Sequence, residues 1–182
     1  SSPAMTAVHP ASLISPELHA PTLLELVHMR MTPLHTYLIS HTVLGIIDLA
    51  FHRVYSPAVH SRLEGSRAFI QFVDHVVAIA QVPVPTLLVA LVYLHRVKLH
   101  IPPLDRSTNE RIFLGALIIA HKYANDCAIK AKYWAALTEV FDSRDISSIE
   151  RDFLLLLDYR LSISESDLLD FYPFLVGSLP AP

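Results

Sequence analysis

The sequence predicts an all-α fold, and three observations favour that class. Apolar residues recur at steps of three and four along most of the chain, the spacing that places them on one face of a helix. No stretch alternates apolar and polar residues convincingly, as a half-buried strand would. Thirteen prolines against four glycines divide the chain into segments of helical length. At 182 residues, the chain suits one domain, or one domain with an extension.

The first third of the chain is predicted to hold an arm and two helices. Four prolines among residues 1–21 favour an extended arm. Thr22 is expected to cap a helix that begins at Leu23 and that Pro33 ends. A second helix is expected over about 34–53, where apolar residues again recur at three- and four-residue steps.

The rest of the chain is predicted to form five longer helices and a short final one. Their expected ranges are about 66–80, 87–99, 110–125, 130–141, 146–159 and 168–175. Thr86 is expected to cap the second of them, after the stiff link Val82-Pro83-Val84-Pro85. The residues expected to face the core are Leu91, Leu117, Tyr133, Trp134, Leu137, Val140, Phe141, Phe153 and Leu157.

Composition and motifs disfavour an enzyme, a metal protein and a nucleic-acid binder. With a net charge of -3, the chain has no basic excess that would support nucleic-acid binding as its main role. The 11 histidines include no pair at four-residue spacing, and the single cysteine, Cys127, cannot form an internal disulfide. Pro83 and Pro85 interrupt the longest uncharged stretch, 75–95, so no transmembrane helix is predicted. We therefore expect no catalysis, no cofactor, no metal site, and neither a nucleic acid nor a membrane as partner.

Four segments, in order, resemble the cyclin box, most closely that of the fungal Pcl class of cyclins. They are 84–96, which ends in Tyr93-Leu94-His95-Arg96; 111–123, followed by Asn125-Asp126; Trp134-Ala135; and 149–161. With a first helix at about 66–80, the resemblance covers residues 66–172. The chain departs from the class at Ala131, where an asparagine is usual. Its first helix lacks the Met-Arg-Ala-Ile-Leu motif that cell-cycle cyclins use to dock substrates, so that docking activity is not expected here.

The resemblance implies a cyclin-box-like five-helix bundle, all-α, with additional N-terminal helices. In this division, residues 1–21 are a Pro-rich extended arm and residues 22–57 are an N-terminal helical extension. Residues 58–182 are the cyclin-box domain, with its core at about 66–172. The resemblance also implies an intracellular protein, in the nucleus, the cytoplasm or both.

The resemblance further implies a regulatory subunit that binds and activates a cyclin-dependent kinase of the Pho type by positioning the kinase C-helix. In cyclins, a lysine near the end of helix three and a glutamate in helix five bind backbone groups beside the C-helix. By motif these residues are Lys122 and Glu150, and Ile119 and Tyr123 are the apolar neighbours that exclude water. From the residues alone, Lys122 also fits a solvated lysine at a helix end, and Glu150 fits a capping box with Ser147.

Two other functions stay open on the sequence. One is a cyclin-fold adaptor or transcription-related interaction module that activates no kinase. The acidic balance and the single box disfavour that module, because its DNA-binding members use basic surfaces. The other is a helical small-molecule binder with a pocket between apolar helices.

Overall fold

The computed structural model describes residues 16–52, 60–100 and 108–175. Within these ranges the secondary structure is helical, which confirms the all-α class. A 3₁₀ turn at Pro16–Leu18 precedes α1 (Pro21–His28), α2 (Pro33–His52), α3 (His60–Ile79), α4 (Val84–Val97), α5 (Thr108–Ala124), α6 (Ala131–Thr138), α7 (Ser143–Leu156), α8 (Glu165–Leu169) and α9 (Tyr172–Leu175). The predicted extended arm lies mostly outside the described residues.

Helices α4 and α5 form the centre of the molecule. Every residue of 86–94 in α4 and of 112–121 in α5 is buried. A helix that is apolar on all sides must be covered on all sides, and α5 is packed between α4 and α7. The predicted core is confirmed at Leu91, Leu117, Trp134, Phe153 and Leu157, and Leu137 is partly buried against it.

Prolines, not capping threonines, stand in the first turn of α1, α2 and α4. Helix α1 starts at Pro21 and α4 starts at Val84 with Pro85 next, and neither has a side-chain cap. Proline suits the first turn because it lacks an N–H that would have no partner there. The expected caps at Thr22 and Thr86 are therefore wrong. Pro33 likewise begins α2, whereas it was expected to end the preceding helix.

Helix α6 is shorter than the sequence predicts. It ends at Thr138, and Glu139 takes the left-handed conformation with φ of 56°. Val140 therefore lies beyond the helix and is 63% exposed, while Tyr133, beside the inward Trp134, is 54% exposed. The expectation that Tyr133 and Val140 face the core is wrong, whereas Phe141 is buried as expected.

The N-terminus of α7 has a capping box, but not the one that the sequence suggested. The Asp142 carboxylate accepts hydrogen bonds from the backbone N–H groups of Arg144 at 2.7 Å and of Asp145 at 2.8 Å. In return, the Asp145 carboxylate accepts a hydrogen bond from the backbone N–H of Asp142 at 3.1 Å. Ser147 lies one turn inside the helix, where its hydroxyl donates to the Ser143 carbonyl. The capping interpretation of Glu150 is therefore wrong, and this side chain is available for other contacts.

We expect Asp142→Ala to lower the free energy of unfolding at neutral pH, and the loss to be pH-dependent. The N–H groups of Asp145 and then Arg144 hold the pKa of Asp142 below its ordinary 3.8. Because the pKa of this carboxyl is lower in the folded protein than in the unfolded chain, its stabilising effect is fully present above the unfolded-state pKa. The effect is lost as the pH falls through the folded-state pKa. Urea unfolding of both proteins at pH 7 and at steps below about pH 4 measures the difference. Asp142→Asn is the control, and a difference that does not change with pH would contradict the capping role.

The two N-terminal helices pack on the same helices that form the core. Helix α1 contacts α4 and α8, and α2 contacts α3, α4, α5 and α9. The backbone N–H of Ala20 donates to Glu165 Oε1 at 2.7 Å, and the Tyr172 hydroxyl donates to Glu25 Oε2 at 2.9 Å. Among the described residues, no helix is both long and apolar enough to cross a bilayer.

Candidate partner-binding surface

The fold brings Lys122 and Glu150 together at the surface. Lys122 lies in the last turn of α5 and Glu150 lies halfway along α7, 28 residues later. The Lys122 ammonium donates a hydrogen bond to Glu150 Oε1. The side chains are 45% and 24% exposed, so both can be reached from solvent. The two residues singled out by the sequence thus form one charged pair.

A close helix crossing fixes the distance between these two side chains. Gly115 of α5 faces Phe153 of α7, and a Cβ on the glycine would lie 2.7 Å from Phe153 Cβ. Real side chains do not approach so closely, so only glycine allows this approach of α5 to α7. The crossing therefore sets the alignment of the Lys122–Glu150 pair.

The two apolar neighbours of the pair have different positions. Tyr123 is 48% exposed, its ring packs edge-on against Tyr93 with 6.3 Å between centroids, and its hydroxyl accepts the Ile163 N–H at 3.3 Å. Ile119 is 4% exposed and is part of the core. Tyr123 can therefore offer contact area, while Ile119 supports the surface from beneath.

The segment that follows α7 is tied back to α4 beside this surface. The Tyr93 hydroxyl donates to the Leu161 carbonyl at 2.9 Å, and Arg96 donates to the Arg160 carbonyl at 2.9 Å. Burial, followed by the neighbouring Tyr123, raises the pKa of Tyr93 well above its ordinary 10.0, so the hydroxyl stays protonated and keeps donating. This edge of the surface is thus held by two side chains of α4.

Two exposed apolar residues at and beyond the end of α7 were not singled out by the sequence. Leu155 comes five residues after Glu150, which turns it about 140° away from Glu150 around the helix, and Tyr159 follows the helix with a φ of 53°. Each is 60% exposed. The four consecutive leucines at 154–157 could have indicated an exposed apolar residue, because one face of a helix cannot bury four consecutive residues. Lys122, Glu150 and Tyr123 define what we call the platform.

The platform has the chemistry of a binding surface. A lysine ammonium has three donors and a carboxylate accepts at two oxygens, so each group keeps capacity beyond their mutual bond. Such groups form short charge-assisted bonds with a partner's backbone carbonyl or N–H. In the described part of the chain, no three His, Cys, Asp or Glu side chains are grouped so as to hold a metal ion.

Comparison with known proteins identifies the family of this fold and surface. The family described as "Cyclin, N-terminal domain" matches residues 55–162, more than half of the chain. The chain belongs to this cyclin family. Lys122, Glu150, Tyr123, Leu155 and Tyr159 all lie inside the matched span. The recognition of a cyclin box from the sequence is confirmed.

Three proteins of Saccharomyces cerevisiae are similar to this cyclin. PHO85 cyclin-9 is 36% identical over 112 residues, PHO85 cyclin-1 is 39% identical over 114, and PHO85 cyclin-2 is 36% identical over 110. The matches cover 58–59% of this chain and 36–40% of each relative, so the chain spans about two fifths of their length. No solved structure matches the chain.

Proposed function

We propose that this cyclin is a regulatory subunit that binds a cyclin-dependent kinase of the Pho type and activates it by positioning the kinase C-helix. The observation that carries the proposal is the surface pair Lys122–Glu150, aligned by the α5–α7 crossing within a cyclin domain. Similarity to three PHO85 cyclins supports the choice of kinase. In this role the cyclin contributes no chemistry of its own.

Activation follows from a preference for one kinase conformation. Kinase catalysis requires the ion pair between the strand lysine and the C-helix glutamate to be in place. A partner that binds the C-helix-in state more tightly shifts the population of the kinase toward that state. A stable contact of this kind buries on the order of 1,600 Å² in total. The platform is then the centre of a larger interface.

The platform residues have complementary roles in the proposed contact. Lys122 and Glu150 hydrogen-bond backbone groups beside the C-helix, while the half-exposed Tyr123 buries apolar area beside them. Surrounding apolar contacts exclude water and so strengthen a central polar bond. Ile119 supports this arrangement from the core. We place the cyclin-box domain at 58–182, with 22–57 as an N-terminal extension.

Reconstitution with a purified kinase tests the proposal. The full chain is added to yeast PHO85 kinase prepared without a cyclin, and both co-elution and phosphorylation of a substrate peptide are measured. We expect a stable complex and a large stimulation of phosphorylation. Binding without stimulation would favour the adaptor function, and the absence of both would reject the proposed function. A DNA titration at low salt, with no binding expected, addresses the transcription-related alternative.

A further inference from the structure

The last turn of α5, which carries Lys122, is fastened to the first turn of α4. Asn125 follows α5 directly, and its backbone N–H and its side-chain Nδ2 both donate to the His121 carbonyl, at 3.1 Å and 3.0 Å. The same Nδ2 donates to Thr86 Oγ1 at 3.2 Å. One amide thus closes the end of one helix and joins it to the start of the next.

The threonine end of this link is fixed in place. Thr86 is 1% exposed and lies in the first turn of α4, after the Val82-Pro83-Val84-Pro85 segment. Prolines at positions 83 and 85 restrict the backbone that leads into α4, and Thr86 is held inside the first turn of that helix. The partner of the buried Thr86 hydroxyl is Asn125, 39 residues later in the chain. If Asn125 moves away, the hydroxyl is left buried without this hydrogen bond, which costs free energy.

We propose that Thr86 and Asn125 are positioning residues that hold the last turn of α5, and with it the Lys122 ammonium, in the orientation that the kinase binds. The proposal rests on the proposed function. Neither residue belongs to the platform, and both act through Lys122. Tyr123, in the same turn, is held on the other side by its bond from Ile163, so the turn is fixed from two directions.

Valine at position 86 tests the link with little change of shape. Thr86→Val removes the hydroxyl that accepts the Asn125 bond. We expect amide hydrogen exchange at residues 122–125 to become about fivefold faster, which corresponds to the loss of one net hydrogen bond. Kinase affinity is expected to fall by at most the same factor, because affinity decreases only as far as the population of the ordered turn decreases. Thr86→Ser keeps the hydroxyl and should retain both properties. Asn125→Ala removes the bond to Thr86 and also the side-chain bond to the His121 carbonyl, so its effect should be at least as large.

Thr138→Val is the matched control. Thr138 is also a buried threonine, at 2% exposed, but its hydroxyl bonds within its own helix, to the Ala135 carbonyl. We expect this variant to keep the kinase affinity and the slow exchange of 122–125. A loss of affinity as large as that of Thr86→Val would show a general effect of stability and overturn the proposal.

The outcomes separate this inference from the proposed function. If the unmodified cyclin binds no kinase, the proposed function fails, and hydrogen exchange alone decides whether Thr86 holds the turn. If the kinase binds the unmodified cyclin, but Thr86→Val neither weakens that binding nor speeds hydrogen exchange at residues 122–125, the positioning role is wrong. Faster exchange spread equally over the core amides of α4 and α5 would also contradict it, because a local link protects local amides.

Discussion

Lys122→Glu is expected to abolish stimulation of the kinase while leaving the cyclin folded. The substitution removes a cation from the centre of the proposed interface and places two carboxylates beside each other. Losing a buried charged hydrogen bond at an interface costs about 2 kcal/mol or more, which weakens binding about 30-fold or more. Stability should change by less than about 1 kcal/mol, because Lys122 is 45% exposed and exposed ion pairs contribute little.

Two further variants separate partner binding from the pair's own attraction. Lys122→Glu combined with Glu150→Lys restores an ion pair inside the cyclin but presents reversed charges to the kinase, so it should stay inactive. Arg144→Glu reverses an exposed cation in the first turn of α7 and should keep full stimulation. Titration calorimetry and a kinase assay measure these effects. Full activity of the double reversal would show that the pair serves only to hold α5 to α7.

Gly115→Ala is expected to lower the free energy of unfolding by about 1–3 kcal/mol, despite the better helix propensity of alanine. The added Cβ would meet Phe153 Cβ at 2.7 Å, and that atom is attached directly to the α7 backbone. No rotation of the phenylalanine side chain can move it away, so the two helices must separate. Because the crossing aligns Lys122 with Glu150, kinase affinity should fall as well.

Gly45→Ala is the matched control for that prediction. Gly45 lies within α2, and a Cβ there would meet nothing within 4 Å. The same substitution should therefore stabilise the protein by up to about 1 kcal/mol, through helix propensity and a smaller unfolded-state entropy. Urea unfolding measures both variants. Equal effects at the two positions would show that the Gly115 contact is not tight.

Helical periodicity located the helices because burial on one face leaves a repeating pattern in the sequence. It located their ends less well. The starts of α1 and α4 depend on proline, which replaces a capping side chain, and the end of α6 depends on the left-handed Glu139. That conformation is rare for glutamate and has no sequence signal. Tyr133 and Val140 were consequently expected to face the core, although both are exposed.

The site was predicted through family resemblance more than through spacing. Spacing alone favoured a helix-end lysine for Lys122 and a cap for Glu150, and the observed cap at Asp142 now removes the second interpretation. That Lys122 bonds Glu150 depends on the crossing of α5 and α7, which is a tertiary property. The link between Thr86 and Asn125 joins residues 39 apart and was likewise invisible to local patterns.

The chain has one tryptophan, and its position gives the protein a built-in optical reporter. Trp134 is 1% exposed, and its ring lies edge-on to His121, with 5.9 Å between centroids. An indole shielded from water emits at shorter wavelength than a hydrated one, so a red shift in fluorescence marks entry of water around Trp134 and its neighbour His121. Because His121 immediately precedes Lys122, that emission reports on the helix end that carries the platform lysine.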